Sequence, residues 1–105
     1  MTFGRWYPLA QAGDNAPAQP GVLQLRLEQG LVDYPTGKSA MIHYALCPDL
    51  RRSAGELAAL HDQSPWLCRH SETLTSAERA DLEAAFVRLV DTFRARFGAA
   101  PTVPS

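Results

Sequence analysis

Lysine is almost missing from this sequence. Lys38 is the only one, and arginine supplies the rest of the ten basic residues, which eleven acidic residues nearly cancel. A protein that wraps nucleic acid over a broad surface is usually far more basic, although net charge leaves local patches open. Cysteine is scarce too. Cys47 and Cys68 are the two present, too few for a disulfide framework. No basic start followed by an apolar stretch suggests an export signal. Free thiols serving as small apolar residues are therefore expected. Long hydrophobic runs are also absent, so no segment is expected to span a bilayer, and a cytoplasmic location is the expectation.

What is present is a hydrophobic share of 46% in 105 residues. That content argues against disorder. It fits one domain of common size, able to build a core without metal or disulfide staples. Residues 1–20 show no periodicity. They read as an irregular lead-in whose cluster of Phe3, Trp6, Tyr7 and Leu9 packs on the domain. Residues 21–98 form the single domain, and 99–105 are expected to be a flexible tail.

Within the domain, Leu23, Leu25 and Leu27 alternate with Gln24, Arg26 and Glu28, which predicts a strand. Gln29-Gly30 permits a reversal, with Leu31 to Tyr34 as the return strand. Ser39 to Cys47 reads as a further strand that is apolar on both faces. Ala40, Ile42, Tyr44 and Leu46 share one face; Met41, His43, Ala45 and Cys47 share the other. Pro48 suits a first helical position, and Leu50, Ala54, Leu57 and His61 predict a helix from about Asp49 to His61. Trp66-Leu67-Cys68 fits either a short strand or a packed loop. Thr75 and Glu78 have capping-box spacing. After them Leu82, Phe86, Leu89, Phe93 and Phe97 mark a long helix, closed by Gly98 and Pro101. The expected fold class is α+β, a small antiparallel sheet of about three strands flanked by helices.

Tyr44, Arg51, Arg52 and Glu83 are the residues whose chemistry could converge. A strand-to-helix junction can bring a phenol and a guanidinium to one ligand, and the guanidinium fork matches phosphate oxygens. Glu83, early on the last helix, is a candidate ligand for a divalent ion that would stabilise charge on a phosphodiester. Each also has a plain structural reading. Tyr44 suits the edge of a core, the arginines suit a solvated surface, and Glu83 can pair with Arg79 or Arg88.

Gly21-Val22-Leu23 opening a strand, Tyr44-Ala45-Leu46 ending a later one, Pro48-Asp49-Leu50-Arg51-Arg52 entering a helix, and Leu82-Glu83 before Arg96-Phe97-Gly98 occur in an order that resembles the GIY-YIG nuclease superfamily. The resemblance spans residues 20–101. It implies a three-stranded antiparallel sheet flanked by helices, cutting DNA phosphodiesters with one divalent ion, Mg2+ or Mn2+. By that resemblance Tyr44 would arrange the attacking water. Arg52, or Arg51, would contact phosphate, and Glu83, or less suitably Glu72, would hold the metal. Leu23 stands where the first motif has tyrosine, and Leu46 where the second has glycine. Tyr34 or His43 could take over the missing tyrosine's role, His43 as a base near neutral pH. These departures point to a divergent or inactive relative.

Other motifs are weaker. Gly37-Lys38-Ser39 lacks the earlier glycine of a phosphate loop and precedes a strand rather than a helix. Cys68-Arg69-His70, with Cys47, His43 and His61 elsewhere, has no standard zinc spacing. Three functions compete: a metal-dependent nuclease acting on DNA, a noncatalytic nucleic-acid-binding or protein-interaction module on the same fold, and a domain that works in assembly with a protein partner or as a homo-oligomer. No membrane partner is expected.

Overall fold

The structure, a computed structural model, describes residues 1–104. The N-terminal segment, expected to be irregular, holds two short strands, β1 (Thr2–Phe3) and β2 (Tyr7–Pro8). A 3-10 turn at Leu9–Gln11 and a single helical turn, α1 (Ala12–Asn15), follow. The alternating leucines form β3 (Gly21–Leu27). Beyond Gly30, whose φ of 85° needs a residue without Cβ, come β4 (Val32–Tyr34) and β5 (Gly37–Ser39). These two pair with each other, Val32 opposite Ser39, and not with β3. The place beside β3 goes instead to β6 (Met41–Cys47), which pairs with it from Gly21↔Cys47 to Arg26↔Met41. A six-pair ladder outcompetes the short return strand that Gln29-Gly30 suggested.

Asp49, not Pro48, starts the next helix. Its carboxylate accepts the Arg52 N–H at 3.3 Å and caps α2 (Leu50–Leu60). Residues 66–68 prove to be the start of a full strand, β7 (Trp66–Thr73). The capping box forms, with Thr75 Oγ1 accepting from the Glu78 N–H and the Glu78 carboxylate accepting from the Thr75 N–H. It starts a short helix, α3 (Ser76–Ala80). A second cap at Asp81 begins α4 (Leu82–Phe97), which ends at Gly98 with φ 82°. The C-terminal segment is tied down at Thr102, whose N–H donates to the Tyr34 hydroxyl at 3.2 Å. Ser105 lies outside the described residues.

β7 pairs on one side with β3 and on the other with β1 and β2, and every pairing is antiparallel. The sheet is wider than the three strands expected, because the N-terminal pieces and β7 join it. One face carries Leu23, Leu25 and Cys68. They pack with Leu9, Ala12, Leu50 and Ala54 into the main core, so α1 and α2 cover this face. Both thiols are buried and unpaired. The opposite face carries Gln24, flanked in register by Tyr44 on β6 and Arg69 on β7. There α4 lies over Tyr44, with the Phe93 and Tyr44 rings edge to face at 5.7 Å. A register shift between Leu25 and Arg26 changes the alternation of β6. Ile42 thereby joins the leucine core instead of sharing the Tyr44 face. Among the described residues, no helix is long and apolar enough to cross a membrane.

Candidate functional site

The two sheet faces separate the residues that the sequence grouped. Tyr44 points away from the core face and lies beneath α4. Arg51 and Arg52 stand on the first turn of α2, whose Leu50 and Ala54 pack on the core face. Arg51 Nε donates to the Ala16 carbonyl at 3.0 Å, and Arg52 pairs with Glu56 at 3.2 Å. Each thus has a local partner at Nε, and both lie on the other side of the sheet from Tyr44. His43, adjacent to Tyr44 in β6, is on the core face opposite Leu25. Burial holds its pKa below the usual value, with His61 nearby lowering it further. Neutral His43 lines a groove with Leu57 and Leu60, not a phosphate site.

Glu83 is exposed in the first turn of α4. It lies two residues before Ala85, so its side chain is about 200° around the helix from that buried position. Glu72 is exposed near the end of β7. Tyr34 is buried; its hydroxyl donates to the Met41 carbonyl, and its ring meets Phe93 at 5.1 Å. Among the described residues no group of three or more His, Cys, Asp or Glu side chains comes together. Glu83 alone would leave nearly the whole octahedral shell of Mg2+ to water and substrate. Among the described residues, neither Glu83 nor Glu72 belongs to a built metal centre.

A different constellation assembles over Tyr44. A cleft of about 350 Å³ runs between α4 and Tyr44, with α3 at its rim. From α4 it takes Ala85, Arg88, Leu89, Thr92, Phe93, Arg96 and Phe97. Arg88, Thr92 and Arg96 recur at intervals of four, which aligns them on one helix flank. Neither arginine is in an ion pair among the described residues. Arg96 lies over the Phe97 ring at 5.3 Å, a cation–π contact that holds the guanidinium without neutralising it.

The lone carboxylate of the cleft is already engaged. Glu78 accepts from the Met1 amine at 2.8 Å, and this contact with its capping bonds holds its pKa down at about 2. Tyr44 adds a phenol whose pKa is raised by burial, with Arg69 opposing the shift. The phenol therefore keeps its proton and can donate it in a hydrogen bond to an anion.

Behind the cleft, the same sheet face is lined with arginine and aromatic groups. Arg69 Nε donates to Gln24 Oε1 at 2.7 Å. Its guanidinium lies 4.4 Å from the Trp6 ring centre and 4.8 Å from that of Phe3. Arg26 sits 5.0 Å over Trp6. The Arg26 Nε is buried without a hydrogen-bond partner among the described residues. Desolvation lowers the pKa of Arg69, and Arg26 contributes in the same direction. Two cations packed under an indole leave the region electropositive beside the cleft.

Of the candidate site residues singled out in the sequence, Tyr44 lines this cleft, while Arg88 and Arg96 in the cleft and Arg69 and Trp6 on the same sheet face were not among them. The 88–92–96 spacing was visible in the chain. The role of Arg69 depended on the register of a strand that the sequence did not define. Comparisons with protein families, with curated proteins and with solved structures find no match to this chain.

Proposed function

We propose that the chain is a noncatalytic nucleic-acid-binding module whose α4 cleft takes the phosphate backbone of a single strand. The observation that carries this reading is the pair Arg88 and Arg96 on one flank, facing a protonated tyrosine, with the nearby carboxylate already matched by an amine. Guanidinium forks bind phosphate oxygens with strong charge-assisted hydrogen bonds. Phe97 and Tyr44 supply ring surface in the same cleft, and bases stack on such surfaces with little sequence preference.

Kinship with the GIY-YIG superfamily is part of the proposal at the level of the sheet. Its support is that the two motif strands are neighbours, Val22 opposite Leu46 and Leu23 opposite Ala45. Hydrolysis is not part of it, because Arg51, Arg52 and Glu83 do not join Tyr44.

The test is fluorescence anisotropy of a labelled single-stranded oligonucleotide at rising salt. Each phosphate contact contributes about −0.7 to the slope of log K against log salt, so two arginine contacts predict about −1.4. Arg88→Ala with Arg96→Ala should remove that part of the slope. Arg94→Ala removes an equal charge, but Arg94 pairs with Asp91 and is not a cleft residue. It should leave the slope near the wild-type value. Salt-independent binding, or an equal loss with Arg94→Ala, would overturn the reading.

A further inference from the structure

The sheet ends at β6, and that end is open. Gly4 N–H donates to the His70 carbonyl, so the His70 backbone groups face the N-terminal strand rather than β3. His70 opposes Leu23, and Leu23 must therefore direct its own groups toward Ala45 on β6. Val22 fits this pattern, since its N–H turns toward β7 and donates to Ser71 Oγ. It follows that Ala45 is bonded inward, and that the N–H and C=O of Tyr44 and Leu46 point out of the sheet. Among the described residues no backbone bond from outside the sheet reaches them.

Open edges are usually protected by charge, proline or a covering element. β6 reads Met-Ile-His-Tyr-Ala-Leu-Cys, without proline and without a formally charged residue at neutral pH when His43 is neutral. The β4–β5 hairpin is held by the Tyr34 hydroxyl on the Met41 carbonyl and by Thr36, whose N–H and hydroxyl donate to the Phe97 and Arg96 carbonyls at the end of α4, and neither of its strands pairs with β6. Beside the open stretch runs a groove of about 240 Å³, lined by Ala45, Leu46, Leu57 and Leu60 among others. Leu46 is 38% and Leu60 73% exposed, two of the few large apolar side chains at the surface.

We propose that a second copy of this chain pairs with it, β6 against β6, antiparallel about a two-fold axis through Ala45. Three features favour a second copy over an unrelated strand. Outward-facing Tyr44 and Leu46 form bonded pairs with Leu46 and Tyr44 of the other copy, so each open donor meets an open acceptor. Ala45, small enough for the close non-bonded pair, meets itself at the axis. Leu60 and Leu46 of each copy lie beside the shared edge, where the symmetry brings the two apolar grooves together. The dimer joins two sheets into one continuous sheet. This pairing stands independently of the anion site.

Light scattering of the purified chain at about 100 µM should give twice the chain mass, within the concentration range where modest interfaces associate. Tyr44 and Leu46 amides should exchange with deuterium more slowly as protein concentration rises. That reading requires no substitution. Ala45→Cys should crosslink under mild oxidation, because Cα atoms about 4.5 Å apart in a non-bonded pair meet the geometric range of a disulfide. Native Cys47 and Cys68 are buried and should not compete. Leu46→Lys places a charge on the edge and should weaken association at least about tenfold. A monomer at all these concentrations overturns the proposal. So does a dimer in which Ala45→Cys fails to crosslink and the two amides exchange independently of concentration, which would place the interface elsewhere.

Discussion

Truncating Phe93 tests how α4 is held on the sheet. The ring is 6% exposed and touches three other aromatic rings: Tyr34 at 5.1 Å, Tyr44 at 5.7 Å and Phe97 at 4.5 Å between centres. A buried aromatic side chain removes about 150–250 Å² from water. At about 25 cal/mol per Å² the gross loss on Phe93→Ala is about 4–6 kcal/mol. The extended-chain reference makes this an upper figure, and core Phe→Ala substitutions cost about 3–5 kcal/mol. Against a total stability of about 5–15 kcal/mol for a domain, that is a large share. Phe93→Leu keeps most of the volume and should cost less, largely the ring-pair contribution of about 0.5–1.5 kcal/mol per pair. Urea unfolding followed by tryptophan fluorescence gives both values, since a drop in midpoint at constant slope reports stability directly. Phe93→Leu should also retain the cleft and its salt-dependent binding. A cost below about 1 kcal/mol for Phe93→Ala would refute the reasoning, because a ring so placed could not then be what docks the helix.

Two further perturbations probe the chain. His43 and His70 both have pKa values lowered chiefly by burial, from an ordinary 6.5. Protonation favours the unfolded chain, so their contribution is fully present above the unfolded value and is lost as pH falls below about 6.5. Glu78, held at about 2 by the Met1 amine and its capping bonds, loses its contribution only below the ordinary carboxylate value of 4.5. The urea midpoint should therefore decline from pH 7.5 to pH 5.5, a window that about isolates the histidines; a flat or rising midpoint contradicts this. Gly98→Ala should cost about 1–2 kcal/mol, since the residue adopts a left-handed φ. The new Cβ would also lie 2.9 Å from Pro35 Cβ, and an unchanged midpoint would show that this helix end is not held as described.

The elements that were legible are those whose two sides differ in polarity. β3 alternates because one face meets the leucine core, and α2 and α4 each bury one stripe. β7 was not legible because both of its faces are covered. Cys68 faces the core, while Arg69 on the opposite face is sheltered under Phe3 and Trp6. An arginine buried against rings reads as a surface residue, and the period disappears. The N-terminal strands were hidden for another reason. Each is two residues long and is set by pairing with β7, so local sequence carries no repeat to detect. Gly30 takes the positive φ that a bend there uses, but no hairpin with β3 follows, because pairing partners are chosen by ladder length and burial beyond the reach of a local signal.

Nearness along the chain misled the reading of the site. Tyr44 is only a few residues from Arg51 and Arg52, yet a strand directs successive side chains to opposite faces. The helix after β6 folds onto the Leu23 and Leu25 face, where Leu50 and Ala54 complete the core. Tyr44, opposite Gln24, necessarily points the other way. No rotation of α2 could bring its first-turn arginines through the sheet to meet the phenol. The guanidinium groups that line a cleft with it come from far along the chain, on a helix flank that shares neither strand nor junction with Tyr44. Parity therefore decides which arginines share a cleft with the phenol. Moving the phenol by one residue along β6 would place it with His43 on the α2 side, among Leu57 and Leu60, and would leave Arg88 and Arg96 facing a gap. A Tyr44→Phe change, which keeps the ring against Phe93 and removes only the hydroxyl, should accordingly weaken anion binding without unseating α4.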